Sequence, residues 1–438
     1  MKITIESTTE RIENVGGLLV AGKISQATGL SEVICSRPTT TPALSCLFGL
    51  LVQGRTAFED IELYRHNELF KESLGLPMVF APETIRLYLE ELSRENHTLL
   101  PQLRSVNENL LAKSTLTPVS IGDRKYLPVD TDVSPMDNSR TKKEGVSRTY
   151  KGCDGFAPIF SYIGAEGYML DCELRPGRQH CQKDTPAFME RNIATIQRLK
   201  PQHPVVFRLD GGNDAFDTIE PLVNSGHFFV VKRNMRRDKP EWWLDMAQSI
   251  GDRSDLRPGK SQWTGVLTKA HPKATADFPD LDVVFQVTER TCDCDGTVFL
   301  FPQVEVETWW TNLYEEPGDV IKLYHDHGTS EQFHSELKSD MGVERLPSGK
   351  MAVNSIVLTM AMFAFNTLRF MGQTALANPD LLPVEANGKR KRLKKVILDL
   401  VLIACKFVTH AGKRIVRVYD KNPWLRVFEK LYATAQTM

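Results

Sequence analysis

Residues 126–133 read YLPVDTDV, and this octapeptide decides the class of fold. On an extended strand side chains alternate, so Asp130 and Asp132 share one face while Val129, Thr131 and Val133 share the other. Two acids on one face of an otherwise apolar strand are costly unless something positive meets them. A metal ion is one answer; a structural Arg or Lys is the other. Downstream, APIFSYIG (157–164) and GYMLDCELR (167–175) are short strand-like runs between turn residues. TPAFMERNIATIQRL (185–199) has helical spacing, HPVVFRLDGG (203–212) is a strand ending in a glycine turn, and HFFVVKR (227–233) is another strand. Three strands, a helix, a strand, a helix and a strand over 116–235 predict an α/β fold built on a mixed sheet.

The flanks divide around this core. Residues 1–115 predict a helical N-terminal module, carried by PALSCLFGLLVQGRTAFEDIELY (42–64) and APETIRLYLEEL (81–92). Such a module is either a reader of DNA ends or plain helical packing. Residues 236–318 hold five tryptophans and the β-like runs LDVVFQVTE (281–289) and TVFLFPQVEVETWW (297–310), which predict a β-rich insertion. The core resumes over 319–375 with VIKLYHDHG (320–328) and the helix TSEQFHSELKSD (329–340), and a basic region, 376–438, follows.

Bulk composition excludes several classes. A chain of 438 residues suits two to four modules, and 41% hydrophobic with 25% charged residues is ordinary for a globular protein. The apolar stretches 356–370 and 396–408 are broken by Asn366, Arg369, Asp399 and Lys406, so buried core rather than a membrane span is expected. The N-terminal MKITIESTTERIENVGG has no apolar signal region. None of the eight cysteines forms a C-x-x-C pair. Cys292 and Cys294 lack thiol partners nearby for a metal clip, and the pattern reads as reduced cysteines in an intracellular protein.

Two further places offer acids. Asp210 ends the apolar run VVFRLD just before Gly211–Gly212, where α/β sheets tend to place chemistry; capping the next helix is the alternative. Thr329 and Gln332 fit a capping box opening a helix, on which Glu331 and Lys338 lie nearly two turns apart and point the same way. Tyr324 and His327 join that face if the helix starts earlier. A zinc site from His325, Asp326 and His327 is set aside, because adjacent residues rarely share one ion.

The spacing Tyr324-x2-His327-x3-Glu331-x6-Lys338 resembles the Tyr-x2-Arg-x3-Glu-x6-Lys signature of one branch of bacterial DDE-class insertion-sequence transposases. VDTDVSPMDNS (129–139), LRPGRQH (174–180), FRLDGGNDAF (207–216) and ERLPSGKMAVNSIVLTMAMFAFNTLR (344–369) extend the likeness over about residues 15–420. The resemblance implies a ribonuclease H-like core interrupted by a β-strand insertion, cutting and joining DNA with two Mg2+ or Mn2+ ions on three carboxylates. Asp210 and Glu331 carry over as the second and third metal ligands. For the first, Ser134 follows Asp132 as the family's Ser or Thr follows its Asp, so Asp132 is preferred and Asp130 is its neighbour or alternative. Tyr324, His327 and Lys338 become DNA contacts, with His327 standing where the family has Arg, a weaker phosphate clamp. An aromatic in the insertion holds a flipped base in related enzymes, which makes Trp309 and Trp310 candidates.

A formal net charge of −1 argues against a DNA-binding protein unless charge is concentrated locally. From Lys389 to Lys430 there are 13 Lys and Arg against three acids, densest at Lys389, Arg390, Lys391 and Arg392. KRNMRRDK (232–239) and RTKKEGVSRTYK (140–151) are also basic, and such patches are the footprint of phosphate binding. The expected partner is double-stranded DNA, as terminal inverted repeats and target, bound by a homodimer on paired ends in the bacterial cytoplasm and nucleoid, with no membrane. A metal-dependent nuclease on the same core, or a lapsed transposon-derived DNA-binding protein, are the rival readings.

Overall fold

The computed structural model describes residues 3–7, 10–236, 238–385 and 388–438. The chain opens with five helices: α1 (Leu18–Ala27), α2 (Pro42–Leu51), α3 (Glu68–Ser73), α4 (Pro82–Leu92) and α5 (Asn96–Ala112). Proline begins α2 and α4, where its missing N–H has no helical partner to lose. A sheet region follows: β1 (Val119–Ile121), β2 (Arg124–Val133), and a small separate sheet of β3 (Met136–Asp137), β4 (Ser147–Arg148) and β5 (Asp154–Phe156). Then come β6 (Ile159–Ile163), β7 (Tyr168–Glu173), α6 (Thr185–Leu199), β8 (Val205–Leu209), α7 (Phe216–Asn224) and β9 (Phe228–Lys232).

After α8 (Pro240–Ile250) the chain builds four antiparallel strands, β10 (Asp252–Arg257), β11 (Lys260–Lys269), β12 (Leu281–Cys292) and β13 (Val298–Thr311). It continues with α9 (Pro317–His325), α10 (Thr329–Ser335), α11 (Met351–Leu376), α12 (Leu393–Val396), the hairpin β14 (Cys405–His410) and β15 (Lys413–Val418), and α13 (Leu425–Gln436). Among the described residues the large sheet runs β10-β11-β12-β13-β9-β8-β2-β6-β7, with β1 on β2. β2 pairs parallel to β8 and antiparallel to β6, so the sheet is mixed, as the strand and helix pattern predicted. The β-rich insertion extends this sheet: β13 bonds β9 through Trp309–Thr311, so β10–β13 continue the core rather than stand apart.

The long apolar helix α11 is the axis of the molecule. Among the described residues it alone is long and apolar enough to cross a membrane by length and composition, yet 83% of its most apolar window is buried within the fold. The N-terminal helices wrap it: Phe48 meets Phe363 at 5.0 Å, and Asn366 Nδ2 donates to Asn107 Oδ1 at 2.7 Å. The helices of 1–115 therefore share one hydrophobic core with the sheet. The C-terminal region returns to the N-terminus through a bridge between Glu13 and Cys405.

Candidate active site

Strand register builds the site. β2 and β8 run parallel with Asp130 beside Arg208 and Thr131 beside Leu209, so Asp132 and Asp210 come next, on neighbouring strands and on one face. Adjacent strands lie about 4.8 Å apart, which puts two carboxylates side by side at the carboxyl edge of the sheet. Asn213 Nδ2 holds one oxygen of Asp210 at 2.7 Å. Burial and the neighbouring Asp132 charge raise the Asp210 carboxyl above its ordinary value, the signature of a carboxylate short of a counter-ion.

Asp130 has a different fate. Arg208 Nε and Nη2 donate to its two oxygens at 2.6 and 2.7 Å, and His327 Nδ1 stands 3.0 Å from Oδ1. Burial alone would raise Asp130, but the Arg208 and His327 charges hold it below the carboxylate range. Of the two alternatives for the first acid, Asp130 is thus spent on the structural-arginine answer, and Asp132 is the one left facing Asp210. Arg208 sat visibly in the apolar run VVFRLD; a lone arginine in a buried strand is the signal that a buried acid lies opposite.

A continuous helical segment crosses this face. The expected cap at Thr329 does not form: α9 passes through a tight turn at 326–328 straight into α10, and Thr329 Oγ1 donates to Asp326 O instead. Tyr324 and His327 therefore do join the face of Glu331 and Lys338. Three residues on it meet alternate residues of β2 and the residue just past its end. His327 meets Asp130, His334 Nε2 lies 3.5 Å from Asp132 Oδ2, and Lys338 Nζ donates to Ser134 Oγ at 2.7 Å and Pro135 O at 2.5 Å. A π-helical turn over 336–340 carries Lys338. Phe333 anchors the segment by packing its ring on Gly167, whose φ of +72° and missing Cβ leave the space.

His334 was not among the residues singled out, although the seven-residue step from His327 would have found it. Its ring is buried, which lowers its basicity and keeps it neutral. Nδ1 lies 3.2 Å from the Tyr162 hydroxyl, and Nε2, with no closer partner among the described residues, faces Asp132 Oδ2 at 3.5 Å. A Tyr162 hydroxyl donating to Nδ1 leaves the ring proton on Nε2, aimed at Asp132. Burial raises Asp132 and the His334 contact brings it back below the ordinary value.

Glu331 is exposed and lines a depression of about 550 Å3 with Gln332, Glu336, Lys389, Arg390 and Arg392. It shares a flank with His327 and Lys338 but not their contact with β2. Among the described residues, no three His, Cys, Asp or Glu side chains are grouped to hold a metal ion. The Asp132–Asp210 pair nevertheless fits a hard divalent cation, offering oxygen donors and uncompensated negative charge.

The remaining sequence candidates are corrected in part. Trp309 and Trp310 are both fully buried: Trp309 packs on Tyr324 at 5.6 Å, and Trp310 Nε1 donates to Asp214 Oδ1 at 3.1 Å. Neither indole offers a face to a base, because β13 needs both to seal its junction with β9. Tyr324 is 9% exposed and stacks on His327. Within 389–392, Arg390 pairs with buried Glu336 at 3.0 Å and Lys391 with Asp399 at 3.0 Å, while Lys389 and Arg392 stay exposed, Arg392 bridging Asp340. Glu336, joined also by Arg369 at 2.9 Å, was not anticipated. The basic run 232–239 includes Arg237, which lies outside the described residues.

Residues 47–438 match the family model described as transposase DDE domain group 1. A solved structure, the piggyBac transposase synaptic complex with hairpin DNA, is similar at a TM-score of 0.41 and 11% identity, covering 87% of this chain and 77% of that one. No curated protein matches the chain.

Proposed function

Because the chain belongs to the transposase DDE domain group 1 family, we propose that it cleaves DNA at the ends of a mobile element and joins the freed 3′-OH to target DNA. The observation that carries this reading is the Asp132–Asp210 pair, one carboxylate on β2 and one just past the end of the parallel β8, with Asp210 raised by burial and by the neighbouring Asp132 charge. The sheet order β7-β6-β2-β8-β9, with only β6 antiparallel to its neighbours, supports a ribonuclease H-like core.

Asp132, Asp210 and Glu331 would hold two Mg2+ or Mn2+ ions. When bound, such a pair stabilises charge on the attacking and leaving oxygens of an in-line phosphoryl displacement. The chain's own residues prepare that geometry. Asn213 fixes Asp210, and His334, backed by Tyr162, steers Asp132. The Asp130–Arg208–His327 cluster ties the start of the helical segment to β2, since Arg208 Nη1 also donates to Leu323 O at 2.7 Å. Glu331, exposed beside Arg390, would complete the triad by turning towards the Asp132–Asp210 pair. Exposed Lys389 beside that depression would supply charge for phosphate, joined by Arg392 once it leaves Asp340, and a homodimer would hold paired ends.

A strand-transfer assay with purified protein, Mg2+ and DNA carrying the inverted repeats that flank the gene tests the proposal. Joined product supports it. Cleavage without joining makes the protein a nuclease on the same core, and binding alone makes it a lapsed transposase.

A further inference from the structure

The helical N-terminal module offers DNA little to hold. Residues 1–115 carry eleven Lys and Arg against fourteen acids. Arg37, Arg55, Arg65, Lys71 and Arg86 are each ion-paired with an acid of the same module. Between end reading and plain packing, charge places these helices with packing. The opposite balance holds late in the chain. Between Asp399 and Asp420 there is no acid, and this stretch contains the β14–β15 hairpin.

The hairpin is a two-stranded ribbon six residues long on each side, about 20 Å from stem to tip. Its two-residue turn has Ala411 at φ +48° and Gly412 at φ +74°, the turn whose twist suits the flanking strands. The two faces differ. Cys405 pairs with Val418 and Phe407 with Val416, and these side chains pack on the core. Cys405 also exchanges two backbone hydrogen bonds with Glu13 at 2.7 and 2.8 Å, and Arg414 is ion-paired to Glu72 on α3. The inner face is thereby anchored at both ends. On the outer face Lys406 pairs with Arg417, Val408 with Ile415 and His410 with Lys413. Lys406 is held by Glu10 at 2.6 Å, whereas Lys413 and Arg417 are exposed and have no ion-pair partner among the described residues.

This outer face is basic at both ends and apolar in the middle, on a ribbon whose back is fixed. A ribbon whose surface served only solubility would carry polar residues where Val408 and Ile415 stand half-exposed. The major groove of duplex DNA, about 12 Å wide, admits a two-stranded ribbon. There a branched apolar pair meets thymine methyl groups, and Arg and Lys reach guanine edges and phosphates.

We propose that the β14–β15 hairpin reads the element's terminal DNA by lying in its major groove, with Val408, Ile415, Lys413 and Arg417 towards the bases. This rests on the reading of the protein as a DNA-cleaving enzyme and adds where sequence is recognised: on the C-terminal ribbon, not on the N-terminal helices.

The full chain is titrated by fluorescence anisotropy, at one salt concentration, with two duplexes of equal length. One carries the inverted repeat that flanks the gene, and the other has the same bases scrambled. Wild type should prefer the repeat by roughly 1,000-fold or more, as specific readers do. Lys413→Ala/Arg417→Ala should lower that preference by roughly 5- to 100-fold, with unchanged circular dichroism because both side chains are exposed. Lys23→Ala/Arg94→Ala, on the helical module, should leave it unchanged. Replacing every thymidine of the repeat by deoxyuridine should weaken wild-type binding, and undiminished affinity overturns the major-groove placement. An undiminished preference in Lys413→Ala/Arg417→Ala, or an equal loss on both duplexes, overturns the ribbon as the reader and leaves the function reading standing. A preference lost in Lys23→Ala/Arg94→Ala instead returns recognition to the helices. Failure of wild type to bind either duplex overturns both readings.

Discussion

Replacing Arg208 by Met tests the division of labour between Asp130 and Asp132. Both members of the Asp130–Arg208 pair are 3% exposed, so solvent screening does not discount their interaction. Removing one partner of a buried pair typically costs 3–5 kcal/mol, because the other charge is left stranded. The lost hydrogen bond to Leu323 O adds about 1 kcal/mol. His327 remains beside Asp130 and offsets part of this, which places the expected cost near the lower end, about 3 kcal/mol. The double variant Asp130→Leu/Arg208→Met strands no charge on the pair and should cost less than Arg208→Met alone. Equilibrium urea unfolding at neutral pH reads Arg208→Met, Asp130→Leu and the double variant. Asp130→Asn should be destabilised in the same way yet still cleave DNA at a temperature where it is folded. Strictly additive single and double variants would refute the clamp. So would an Asp130→Asn protein of wild-type stability without cleavage, which would return Asp130 to the metal site.

Asp210→Asn should raise the urea midpoint at neutral pH while removing activity. The folded fold raises this carboxyl, so the stability tied to its protonated form is present below the unfolded value of about 3.9 and is lost as pH rises through the folded value; an unchanged or lower midpoint counts against the like-charge pair. His327 runs on a different window. Asp130 raises it despite burial, so its charged contribution is present below about pH 6.5 and fades as pH rises through the folded value. His327→Gln should therefore cost more stability at pH 6 than at pH 9, with Arg208 and Asp132 as the other charges facing it; equal costs would show that the imidazole acts only by packing. His334→Leu should raise the Mg2+ concentration needed for half-maximal cleavage by about 10–100-fold, as loss of a residue orienting a ligand does, and Tyr162→Phe by less. Superimposable Mg2+ curves would make His334 a packing residue.

Alternation and helical period read the local faces: YLPVDTDV carries two acids on one face of a strand, VVFRLD puts an acid at the end of a second, and Glu331 and Lys338 share one helix face. That the Tyr324–Lys338 segment meets the acids was implied by the resemblance alone. What escaped was set by pairing between distant segments. The parallel register that brings Arg208 to Asp130 is a property of two strands 78 positions apart, and neither strand announces it separately. Trp309 and Trp310 look alike in a β-rich stretch whether they face solvent or a neighbouring strand; only the β13–β9 junction decides, and it buries both. The basic run 389–392 illustrates the same limit, since Glu336, Asp399 and Asp340 take up three of its four charges. Thr329 misled because a local capping pattern lost to a helix already under way from Pro317.

Glu331, exposed in this conformation, is proposed to turn and complete a catalytic triad with Asp132 and Asp210. Glu331→Gln keeps the size and the helix, and it removes only the charge that cation binding needs. Release of 3′-OH ends from DNA carrying the flanking inverted repeats, measured with Mg2+ for wild type and Glu331→Gln, tests it directly. Wild type should cleave and Glu331→Gln should not, with DNA binding intact in both. Cleavage at the wild-type rate by Glu331→Gln would contradict it and leave the chemistry to Asp132 and Asp210 without a third acid at this position.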